Sequence, residues 1–126
     1  MTTKLKAGEY WVGDLCYVMH GEWPEVCGTA FKDDTPVKFL KNGVPFSIQR
    51  TACGDGSYID NHQNGYFVDS GTLGCIETKN ITDHPRNDLY LGHVHEFESD
   101  FEVKSHNGRI RFGDVVFIDT GLEDDE

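Results

Sequence analysis

Apolar and polar positions alternate in short runs along most of this chain, and Gly, Asn, Asp and Pro cut the runs at close intervals. Alternation with a period of two marks strands with one buried face, and those residues mark the turns between them. Glu9 to Val12 and Cys16 to Met19 read as two strands parted by Gly13-Asp14. Val37 to Leu40 and Val44 to Ile48 flank Asn42-Gly43, while Phe101 to Lys104 and Arg109 to Phe112 flank Asn107-Gly108. A third such pair is Asn64-Gly65. A type I′ turn needs positive φ at both central residues, which Asn-Gly accepts cheaply, so each pair predicts a hairpin. The apolar run Val115-Val116-Phe117-Ile118 suits a central strand. The only helix the pattern suggests is a single turn over Trp23 to Cys27, with Pro24 near its start, where a missing N–H costs little.

The expected fold is therefore all-β: an antiparallel sandwich or partly open barrel built from hairpins, with at most one short helix near residues 22–27. Thr51 to Ile76 reads as its central meander, with Gly54, Gly56 and Gly71 at the turns. Lys79 to Asp88 is polar and contains Pro85, so it reads as a surface loop. Residues 1–122 are expected to form one β domain, and 123–126 an acidic, solvated tail.

Composition narrows the function more than it defines it. A chain of 126 residues with 15 aromatic side chains can bury one modest core without staples. Its net charge of −11 repels nucleic-acid phosphates and favours basic partners. Cys16, Cys27, Cys53 and Cys75 form no Cys-x-x-Cys pair, which argues against structural zinc. The first residues lack the apolar run of a signal peptide, and no segment is long enough to span a bilayer as a helix, so a cytoplasmic setting is expected. Reduced, buried thiols are expected with it.

Two groups of side chains carry candidate chemistry. His93 and His95 share one face of a strand, as cupin-type metal sites require, but Phe97 shares that face and the places where a cupin glutamate would follow hold Ser99 and Asp100. Asp55, Asp60, His62 and Asp69 supply enough oxygen and nitrogen to hold a divalent cation if turns bring them together, and with His93 and His95 they make the alternative metal reading. The EF-hand pattern fails, since the twelfth place from Asp60 is Gly71. Asp in such turns commonly bonds its own backbone two residues on, so these are read first as turn makers. No phosphate-cradling loop or Ser or Cys nucleophile motif occurs. The second group is the row Glu96, Glu98, Asp100 and Glu102, alternating with Phe97, Phe101 and Val103. That row makes one acidic strand face, suited to solvent or to a basic partner.

The stretch Tyr10-Trp11-Val12-Gly13-Asp14-Leu15-Cys16-Tyr17-Val18, a Trp soon after, Gly54-Asp55-Gly56-Ser57-Tyr58, Val68-Asp69-Ser70-Gly71, Phe112-Gly113 and Ile118-Asp119-Thr120 together resemble a group of short uncharacterised proteins of bacteriophages and bacteria. The resemblance spans most of the chain, with Leu15 standing where the group usually has Pro. It implies a phage or bacterial source and an intracellular setting, and no activity. The leading expectation is a non-enzymatic module that binds another protein through Glu96, Glu98, Asp100 and Glu102, without a cofactor, nucleic acid or membrane. A metal-dependent enzyme or small-ligand binder using Asp55, Asp60, Asp69, His93 and His95 is the alternative. Self-assembly into a homo-oligomer through an exposed strand edge is a third reading.

Overall fold

Strand β1, Gly8–Gly13, buries side chains on both of its faces, and the rest of the fold follows from that. Tyr10 and Val12 point into one apolar cluster, and Trp11 points into another on the opposite side. The computed structural model describes residues 4–19, 21–30, 35–81 and 91–121. The remaining strands in chain order are β2 (Lys38–Phe39), β3 (Pro45–Arg50), β4 (Gly56–Ile59), β5 (Gly65–Val68), β6 (Thr72–Glu77), β7 (Gly92–Phe97), β8 (Val103–His106), β9 (Arg109–Phe112) and β10 (Val116–Asp119). They form a five-stranded sheet in the order β2-β3-β6-β1-β7, a three-stranded sheet β10-β9-β8 and a two-stranded ribbon β4-β5, all antiparallel.

The five-stranded sheet is the middle layer. On one side Trp11, Phe46, Ile48 and Ile76 pack under Leu15, Val18, Met19 and Val26, which come from a 3-10 turn and the helix. On the other side Tyr10, Val12, Leu73, Cys75 and Phe97 pack against Tyr58, Tyr66 and Val68 of the ribbon and Ile110, Phe112, Val116 and Ile118 of the small sheet. Tyr10 meets both Phe97 and Phe101 edge-on, while those two rings stack with centroids 3.9 Å apart. An all-β fold with one short helix thus holds, without a closed barrel.

Several local expectations give way. Cys16 to Met19 is not a strand: Leu15–Tyr17 forms a 3-10 turn, because Asp14 caps it by accepting the Cys16 N–H. The helix α1 runs over Trp23–Ala30, longer than the single turn, with half-buried Trp23 packed on the helix-side cluster. Asn107 and Gly108 both have positive φ, as a type I′ turn demands. At Asn42-Gly43 only Gly43 does, and the Asn42 side chain instead accepts from Val44 N–H. In the β4–β5 turn the positive φ falls on Gln63 rather than on Asn64-Gly65. Thr51 to Ile76 is not a meander, since β6 pairs with β3 and β1 and never with β5. The run ending in Ile118 is the first strand of its three-stranded sheet rather than its centre. Cys27 and Cys53 are exposed, and only Cys75 is fully buried. Pro85 and the acidic tail 123–126 lie outside the described residues.

Candidate functional site

Antiparallel pairing with β1 places β7 so that His93, His95 and Phe97 turn inward while Val94 and Glu96 turn outward. That single alternation feeds both candidate groups. The inward histidines meet the β4–β5 ribbon, and the outward carboxylates open a groove where β7 runs into β8.

The acidic row does not form one strand face. β7 stops at Phe97, residues 98–100 bend, and Phe101 makes an isolated bridge to Leu5 before β8 begins. The bend nevertheless brings Glu96, Glu98, Asp100 and Glu102 around one open groove of about 650 Å³. Asp114, Lys4, Lys104 and Arg111 complete its charged lining, with Phe97, Phe101 and Val115 between them. Asp100 is partly committed, accepting the Ala7 N–H and lying 3.8 Å from Lys6 Nζ. Glu102 lies 3.4 Å from Lys104 Nζ. Among the described residues Glu96 and Glu98 carry no ion pair. Sequence reasoning found the four acids and missed Lys104, two residues past Glu102, and Lys4, Arg111 and Asp114, which other segments bring to the groove.

The metal-ligand set splits apart. Asp60 and His95 meet, with His95 Nε2 3.7 Å from Asp60 Oδ2. His93 instead donates through Nε2 to Gly65 O at 2.8 Å. Asp55 is exposed near Gly71, and Asp69 is exposed beside Cys16 and Tyr17 in another cleft. Among the described residues no three His, Cys, Asp or Glu side chains gather as a metal site would require. The turn-maker reading fits Asp60, whose Oδ1 accepts from His62 N–H two residues on and from Asn64 N–H.

Asp60 does more than shape its turn. Its Oδ2 accepts the Tyr66 hydroxyl at 2.6 Å and Asn64 Nδ2 at 3.2 Å. Burial alone would push the carboxyl up, but the hydrogen bonds from Tyr66, Asn64 and His62 outweigh it and hold Asp60 below its ordinary value. Burial, reinforced by Asp60, pushes the Tyr66 phenol far up, so it stays protonated. A phenol has one proton, and Asp60 takes it. The contact between Tyr66 Oη and His95 Nε2 at 3.0 Å therefore has His95 as donor. Burial pushes His95 below its ordinary value, and Asp60 offsets that only in part. His62, whose ring centroid lies 5.9 Å from that of His95, reaches across to Val115 O with Nε2 at 2.7 Å. Sequence reasoning placed His62 with the aspartates as a cation ligand, not as a donor to Val115 O, and it missed Tyr66.

A second buried carboxylate, Asp14, was read only as half of a turn. It accepts from Cys16 N–H, Asp69 N–H, Ser70 N–H and Ser70 Oγ, tying the end of β1 to the loop before β6. Burial first, then Asp14, pushes the neighbouring Cys16 thiol well up, so the protonated form is favoured there. Compared with family models, curated proteins and solved structures, the chain finds no match in any of the three. Among the described residues no helix is long and apolar enough to cross a membrane.

Proposed function

We propose that this chain is a small acidic protein-binding module of phage or bacterial type, which works in the cytoplasm by docking a basic surface of a host protein and modulating it. The observation supporting this reading is the groove between β7 and β8, where Glu96, Glu98, Asp100 and Glu102 converge from a bend instead of lying spread along a strand. The five carboxylates of this lining outnumber its three cations, and a net negative concavity speeds encounter with a cationic partner. Phe97, Phe101 and Val115 give the same groove an apolar floor beneath a charged rim, the arrangement of protein interfaces in general.

Glu96 and Glu98 are the side chains to change, because neither holds a neighbour in place. Capture of a specific host protein at low salt by the unaltered chain, lost in a Glu96→Gln, Glu98→Gln double variant of unchanged melting temperature, is the expected result. Equal capture by both forms, or the absence of any specific partner at low salt where charge attraction is strongest, sinks the reading.

A further inference from the structure

Away from the groove, three imidazoles add hydrogen bonds to the apolar packing of Tyr58, Tyr66 and Val68 and the Asp60–Ile118 bridge that hold the β4–β5 ribbon to the rest of the molecule. His93 donates from β7 to Gly65 O at the start of β5. His95, also on β7, donates to Tyr66 Oη, and that hydroxyl donates to Asp60. His62, in the ribbon's own turn, donates to Val115 O just before β10. Asn61 assists there, giving its amide hydrogen to Val115 O and accepting the Phe117 N–H. Three histidines thus join the ribbon to both other sheets.

The protonation chemistry of this junction follows from its acceptors. Carbonyl oxygens only accept, and the Tyr66 proton is committed to Asp60, so each imidazole donates through Nε2 and acid adds its proton at Nδ1. Protonation of His95 leaves its hydrogen bond to Tyr66 in place and instead puts a positive charge on a largely buried ring. The groups facing His95 are Asp60, Tyr66, His62 and His93, and only Asp60 is anionic. Its carboxylate already accepts four hydrogen bonds. The His95 side chain is only 9% exposed, so a charge on its ring would be held out of water. His95 therefore decides the outcome.

We infer that the ribbon spanning residues 56–68 is an acid-released element, latched to the body at neutral pH by uncharged imidazoles and loosened when His95 must take up a proton. Burial supports this by placing the proton affinity of His95 in the closed form below its ordinary 6.5. The open form then binds the proton first, so the latch is at full strength above about pH 6.5 and weakens as pH falls from there toward the closed-form value. Asp60 stays ionised throughout, because it is held below 3.8.

Amide hydrogen exchange of the whole chain, followed by NMR between pH 7.5 and 5 and corrected for intrinsic exchange rates, tests the latch. Protection of the ribbon amides is expected to fall relative to those of β1 and β6 as pH drops below about 6.5, where the open form begins to bind the His95 proton first. A His95→Gln variant keeps a donor to Tyr66 without a titrating ring, and its ribbon is expected to stay protected down to pH 5. Ribbon protection that tracks β1 and β6 across the range, or a His95→Gln ribbon that loosens as the unaltered one does, overturns the inference. Should that variant fail to fold, the His95 ring-carbon shifts of the unaltered chain decide. A midpoint below 6.5 that coincides with the ribbon transition supports the latch, and one at or above 6.5 refutes it.

Discussion

Asp14 shows how much one side chain can hold when its surroundings are sealed. Its carboxylate is fully buried and satisfies three backbone N–H groups from two segments. Asp14→Ala strands those donors, and stability is expected to fall by about 3 kcal/mol or more, read as a lower urea midpoint with an unchanged slope. Gly71, at φ 75° with no close neighbour for a Cβ within 3.4 Å, is a purely conformational case. Gly71→Ala is expected to cost about 1 kcal/mol. Gly92 is the opposite case, since a Cβ there would overlap the Trp11 ring. Gly92→Ala is expected to cost about 2 kcal/mol or more by overpacking. The cysteines divide as sharply: under native conditions a thiol reagent is expected to modify Cys27 and Cys53 quickly and to reach Cys75 only on unfolding.

At the scale of elements, the two Asn-Gly hairpins look alike as letters and differ in conformation. Asn107 takes a positive φ of 53°, whereas Asn42 does not and uses its side chain to hold Val44 N–H. Asn107→Ala is expected to cost about 1 kcal/mol and Asn42→Ala clearly less, a contrast that paired thermal melts can read. The alternation in β7 was legible: His93, His95 and Phe97 do share a face. Its destination was not, because the ribbon that meets it starts more than thirty residues earlier in the chain. The acidic row was likewise legible as a row, but not the bend after Phe97 that turns it into the rim of a groove.

For the molecule as a whole, an excess of 22 acidic over 11 basic side chains means self-repulsion that salt should relieve. The melting temperature at neutral pH is expected to rise between low salt and about 0.5 M sodium chloride, and a flat or falling response would show the charges to be already compensated locally.

What this chain's letters settle by themselves is the local alphabet: alternation makes strands, Asn107-Gly108 makes its turn, and the acidic excess sets the net charge of −11. These depend on neighbours in sequence and on bulk charge, so no fold is needed to read them. The pairing of β6 with β1 and β3, the capture of Asp69 and Ser70 by Asp14, and the meeting of Asp60, Tyr66 and His95 were decided only by tertiary structure. Each joins residues far apart along the chain or depends on exclusion of water. Burial of that kind turns an ordinary Asp into a structural tie and an ordinary His into a group that resists its proton.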